Sequence, residues 1–175
     1  GVGQSPRAPR TTVNSVVSSV DNPGSTEQVV SAPVEVLELS TNDLLTNVRD
    51  EADAYESGRR VVDRLVDNGV KQLDKALDQR NWDDGDTLDR RRGSRVFSAM
   101  LTASIQFAIA DALTPDDLSS WNDQLVDVSR QLARDAIDAG RSTWLAEIMF
   151  GLAERTNNPQ LAIIHYGIAW QLAQR

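Results

Sequence analysis

The stretch from Val96 to Leu113 constrains this chain most. Val96, Phe97, Ala99, Met100, Leu101, Ala103, Ile105, Phe107, Ala108, Ile109 and Ala110 leave almost no polar side on a 3.6-residue helix. A helix apolar all round has no face to give to water, so it belongs in the middle of a bundle with neighbours on several sides. Ser98, Thr102, Ser104, Gln106 and Asp111 make the stretch too polar to cross a bilayer. Phe97, Met100, Leu101, Phe107 and Ala108 are therefore expected in the core.

The neighbours are legible on both sides of it. Ser40, Thr41 and Asn42 are candidate N-caps, with Asp43 in the first turn. Leu45, Val48, Ala52, Tyr55, Val62, Val66, Leu73 and Ala76 follow at close to a 3.5-residue spacing, the mark of a seam against another helix. Asp67-Asn68-Gly69 reads as a helix stop, because these residues tolerate the left-handed conformation. The expectation is one helix over 41–67, a shorter one over 70–80, a loop at 81–86 and the apolar helix over 87–113. Thr114-Pro115-Asp116-Asp117 combines a cap, a proline for the first helical position and two acids, and predicts the next helix, which Gly140 ends. Ser142 or Thr143 caps a helix over about 144–156, and Asn158-Pro159 opens a last one over about 159–174. Short connections imply antiparallel neighbours. The fold class is all-α, a compact antiparallel bundle of five to six helices over 41–175.

Residues 1–40 differ in kind. They hold four of the six prolines and no aromatic residue, too little to build a core alone. Two Val-rich pieces, Thr11–Val20 and Glu27–Leu39, flank the turn signal Asp21-Asn22-Pro23-Gly24 and are β-compatible. The segment reads as an extended N-terminal arm with short strand segments, one that drapes over a neighbour or adds a strand to it. At the other end, Ala162-Ile163-Ile164-His165-Tyr166-Gly167-Ile168-Ala169 resembles the second-helix pattern of tetratricopeptide repeats. No second copy lies upstream, and the octet is read as helix-hairpin packing.

Composition narrows the chemistry. The chain has no cysteine and one histidine, which removes thiolate sites, disulfides and any site needing two imidazoles. His165, between Ile164 and Tyr166, reads as a packed residue. Asp83-Asp84-Gly85-Asp86 lacks the alternation and terminal Glu of a calcium loop and reads as an acidic loop. There is no glycine-rich phosphate loop and no nucleophile elbow, so no catalytic, metal or cofactor site is assigned. The net charge is −8, and residues 41–89, with seven basic and 13 acidic residues, carry −6 of it. Such a field works against duplex nucleic acid and anionic membranes.

The one basic cluster is Arg90, Arg91, Arg92 and Arg95. Its guanidiniums can pair locally with Asp83, Asp84, Asp86 and Asp89, clamp a partner's carboxylates, or hold phosphate. Successive helical residues lie about 100° apart, so at least two must reach outward. They are the candidate subunit or partner contacts, with nucleic acid as the lesser alternative. The sequence therefore points to a soluble, non-enzymatic structural subunit of a large assembly, contacting copies of itself or other assembly proteins and no membrane. Of such assemblies, a virion or phage particle (coat, adaptor or head–tail connector) fits best. The alternative is a helical adaptor or regulatory module binding a partner protein or peptide, and the expected location is a virion or the cytoplasm.

Overall fold

The computed structural model describes residues 12–15, 35–140 and 143–175. It has two units, and the helical one begins at Ser40. In the other, β1 (Thr12–Ser15) and β2 (Glu35–Glu38) pair antiparallel, with Thr12 opposite Glu38 and Ser15 opposite Glu35. The rest of the expected arm, including the Asp21–Gly24 turn, lies outside the described residues, as does Ser142.

The helical unit contains α1 (Thr41–Ala54), α2 (Arg60–Ala76), α3 (Ser94–Leu113), α4 (Ser119–Ala139), α5 (Trp144–Arg155) and α6 (Pro159–Ala173), with a single 3₁₀ turn at Gln79–Asn81. Several ends follow the side chains the sequence offers. Ser40 Oγ accepts from the Asp43 amide at 3.1 Å. Thr143 Oγ1 accepts from Ala146 at 3.3 Å, and Asn158 Oδ1 from Leu161 at 2.9 Å, with Pro159 opening α6. Gly140 ends α4.

α3 is the hub, packed against α2, α4 and α6. Val96, Met100, Ala103, Phe107 and Ala110 are fully buried. By length and apolarity alone α3 could span a bilayer; here protein surrounds it on three sides. Its fourth side is open. Leu101 and Ala108 are only half-buried, and Ile105 and Ile109 are exposed, so the expectation of burial all round fails for that stripe. α6 runs antiparallel beside α3: the Phe97 and Trp170 rings lie 5.9 Å apart, and Gln160 Nε2 donates to Ser104 Oγ at 2.7 Å.

Four boundaries correct the sequence reading. The seam of Leu45, Val48, Ala52, Val62, Val66, Leu73 and Ala76 is buried as expected, but it runs over two helices that break at Tyr55–Arg59. Gly58 takes the turn there at φ 76°, and Ser57 closes it by donating its amide and hydroxyl to Asp63 at 2.8 and 2.7 Å. α2 runs straight through Asp67-Asn68-Gly69, because Gly69 serves packing: a Cβ there would collide with the Phe107 ring, 2.8 Å from Cζ and 2.9 Å from Cδ1. α3 starts at Ser94, not near Thr87, since Asp83–Gly93 is tied into a loop. Thr114 ends α3 and does not cap α4, which begins at Ser119 after Asp117 accepts from the Ser119 amide at 2.9 Å and its hydroxyl at 2.6 Å.

Candidate functional site

The C-terminus of α2 and the N-terminus of α3 meet at a loop that settles where the arginines go. Trp82 Nε1 donates to the Ala76 carbonyl at 2.9 Å, and Asn81 Nδ2 to the Lys75 carbonyl at 3.0 Å. These two side chains satisfy carbonyls that the end of α2 leaves without intrahelical partners. Asn81 is buried, and its Oδ1 accepts from Arg92 Nε at 3.3 Å, so the amide that closes α2 also aims Arg92.

Three of the four loop carboxylates, those of Asp84, Asp86 and Asp89, accept from backbone amides. Asp84 Oδ1 accepts from the Asp86 and Thr87 amides, both at 2.7 Å. Asp86 Oδ1 accepts from the Thr41 amide at 2.9 Å. Asp89 Oδ2 accepts from the Arg91 and Arg92 amides at 3.0 and 2.9 Å. Among the described residues, none of Arg90, Arg91, Arg92 and Arg95 is ion-paired. Local pairing with the aspartates at 83–89 is therefore not what the cluster does. No group of three or more acidic or histidine side chains is placed to hold a metal among the described residues.

The four arginines separate. Arg90 Nη2 donates to the Gln174 carbonyl at 2.6 Å and fastens the end of α6. Arg91 is exposed. Arg92 and Arg95, three residues apart and so on one side of the chain, line a groove of about 430 Å³ between α2 and α3. Lys75 and Arg80, which no sequence pattern groups with them, line it too, with Gln72, Ser94, Ser98 and Thr102. Asp78 is the one carboxylate there. It accepts from Arg80 Nη2 at 2.8 Å and Nε at 3.2 Å, and these bonds, with the Arg92 charge adding to them, hold it well below the usual carboxylate range. Four cations against one anion leave the groove positive in an acidic chain.

A second polar cluster joins α4 to the α5–α6 hairpin. Glu154 Oε1 accepts from Arg130 Nε at 2.6 Å and from the Tyr166 hydroxyl at 2.7 Å, while Arg134 Nη2 reaches Glu147 at 3.0 Å. Both guanidiniums lie over the Phe150 ring, at 5.5 and 4.8 Å from its centroid. Burial, and the bond to Glu154, raise the Tyr166 hydroxyl far above its ordinary value. This cluster ties the hairpin to α4, although Arg130 Nη1 is buried without a hydrogen-bond partner among the described residues. His165 sits half-buried on α6, with Nδ1 lacking a partner among the described residues.

No protein-family model matches the chain, and neither the curated proteins nor the solved structures yield a match.

Proposed function

We propose that the chain is a non-catalytic subunit of a large protein assembly, of the coat, adaptor or head–tail connector kind that builds virus and phage particles, and that it takes an acidic segment of a neighbouring protein into the α2–α3 groove. One observation carries this reading: among the described residues Arg92, Arg95 and Lys75 line the groove without an ion pair, while Asp84 and Asp89 beside them accept from backbone amides. Guanidinium forks bind carboxylates through paired, charge-assisted hydrogen bonds, and a volume of about 430 Å³ suits two or three side chains of a peptide. A polyphosphate backbone fits less well. It brings about one charge per 1.7 Å of duplex, and residues 41–89, of which only Gln72, Lys75, Asp78, Arg80 and Asn81 line the groove, carry a net −6 around it. The Pro-rich, aromatic-free composition of residues 1–40 supports a second, arm-like contact with neighbouring subunits.

The test uses the full chain with a fluorescent oligo-glutamate peptide and, in parallel, a single-stranded oligonucleotide of equal charge. The peptide should bind with an affinity that falls as salt rises, and Arg92→Ala with Arg95→Ala should weaken it on the order of tenfold. Tighter binding of the oligonucleotide, lost in the same variant, overturns the assignment in favour of nucleic acid. Peptide binding by a chain that light scattering shows to be strictly monomeric makes it an adaptor and removes the assembly role.

A further inference from the structure

The open side of α3 belongs to a larger surface. α6 lies between α3 and α5, with α4 beneath it. On the side away from α4, Ile105 of α3, Leu161, Ile164 and Ile168 of α6, and Ile148 and Leu152 of α5 are each between 36% and 46% exposed. The pairing of Phe97 with Trp170 and of Ser104 with Gln160 brings the α3 and α6 stripes side by side. A groove of about 230 Å³ runs between them, with Leu101, Ile164 and Ile168 among its walls. No Asp, Glu, Lys or Arg occurs from Pro159 to Ala173, nor in α3 between Arg95 and Asp111. The acids of α5 are drawn the other way, Glu147 to Arg134 and Glu154 to Arg130 on α4.

We infer that this α3–α6–α5 face, whose one charge is the exposed Arg155 three residues past Leu152 at the end of α5, is where a second copy of the chain docks, two-fold and face to face. The size is right. Six large aliphatic chains at this exposure, with Leu101 beside them, present on the order of 500 Å² of apolar surface. A standard pairing buries roughly 800 Å² a side, of which about 60% is apolar, or about 500 Å². The charge pattern selects the occupant. A foreign partner read by its charges finds little beyond Arg155 to read here. Two copies, each at −8 with the acidity concentrated in residues 41–89, repel one another most through that region and least through a face with that single charge. A two-fold contact sets the same patch against itself, which an uncharged stripe satisfies without placing like charges opposite each other. This pairing rests on the assembly reading above but uses a different surface from the peptide groove, so the two can fail separately.

The experiment is sedimentation or light scattering on the full chain across concentration and salt, for the native sequence, Ile164→Lys and Ile148→Glu. Both substituted positions are exposed, and melting curves check that the variants fold. The native chain should reach at least twice 19.2 kDa, and its association should persist or strengthen as salt rises, since no ion pair holds it and screening relieves the net repulsion. Each variant should weaken pairing on the order of a hundredfold, because a two-fold contact suffers the change twice, while still binding the oligo-glutamate peptide like the native chain. A native chain that stays monomeric at high concentration and high salt, or folded variants that associate as tightly as the native chain, overturns the inference. Peptide binding by a native chain that never pairs leaves the groove reading without this inference, and pairing by a native chain that binds no peptide leaves this inference without the groove reading.

Discussion

Replacing Gly69 with alanine sets two effects of opposite sign against each other. Alanine in a helix interior is favoured over glycine by about 1 kcal/mol, so at an open position in α2 the change would stabilise. Gly69 is buried, however, and its new Cβ would fall on the Phe107 ring, within 2.9 Å of Cδ1. That ring cannot step aside: it is fully buried and meets Trp121 edge-on at 5.1 Å. Overpacking of this kind costs about 1–3 kcal/mol, and with a rigid ring as obstacle the upper part of that range applies. The expected balance is a loss of about 1–2 kcal/mol, or about 5 °C in melting temperature for a unit of this size. Phe107→Leu alone should cost about 1–2 kcal/mol for the lost ring. Combined with Gly69→Ala it should cost less than the sum by about 1 kcal/mol, because the space needed by one change is vacated by the other. Urea and thermal melts of the four proteins give the cycle. A Gly69→Ala chain more stable than the native one, or strict additivity with Phe107→Leu, would refute the close approach of α2 to Phe107.

Leu125→Ala, at a fully buried position, should cost about 2–5 kcal/mol, and Leu101→Ala, on the half-open stripe, less than half as much; denaturant melts compare them. Arg90→Ala should lower stability by about 0.5–1.5 kcal/mol through the lost bond to Gln174 and leave affinity for the acidic peptide unchanged. Asp63, Asp78 and Asp117 are held below the usual carboxylate range, mainly by the Ser57 hydroxyl, the Arg80 guanidinium and the Ser119 hydroxyl. A depressed folded-state pKa gives stability that is complete above roughly pH 4 and is lost as pH falls through the folded value, so melting temperature should drop on acidification below about pH 4, less steeply in Asp63→Asn. Asp127 has the opposite sign. Burial raises it, with the Arg130 charge opposing, so its ionisation costs stability as pH rises from about 4. Asp127→Asn should therefore melt higher than the native chain at pH 7 and not at pH 3.

Local chemistry made much of the fold readable. Asn158-Pro159, Thr143 and Gly140 do in the structure what their side chains and torsions suit them for. The seam from Leu45 to Ala76 is buried because a 3.5-residue spacing survives a turn of the right length. The break itself was misplaced. Ser57-Gly58 and Asn68-Gly69 are both plausible stops, and only the position of Phe107, 38 residues away in sequence, tells them apart. The late start of α3 is likewise invisible locally, since it depends on Asp84, Asp86 and Asp89 binding amides from two sides of the loop and from α1. At the groove, the sequence marked Arg90, Arg91, Arg92 and Arg95 as one cluster and did not separate Arg92 and Arg95, which line the groove, from the other two. Lys75 and Arg80 join them only through tertiary packing, and no pattern in the sequence announces that meeting.

The aspartates of the 83–89 loop have a kinetic consequence. A segment whose amides are bonded to its own carboxylates, and whose Gly85 carbonyl accepts from Asn42 at 2.8 Å, has given up its freedom during folding. A visitor to the groove meets Asn81 and Arg92, which flank this loop, already in their final places, and the ordering cost that slows and weakens capture by floppy loops does not arise on this side. Encounter then depends on how fast the acidic segment arrives and how little of its own freedom it must surrender. Short, pre-extended acidic stretches should dwell longest there, and the host loop should show the same amide exchange protection empty and filled.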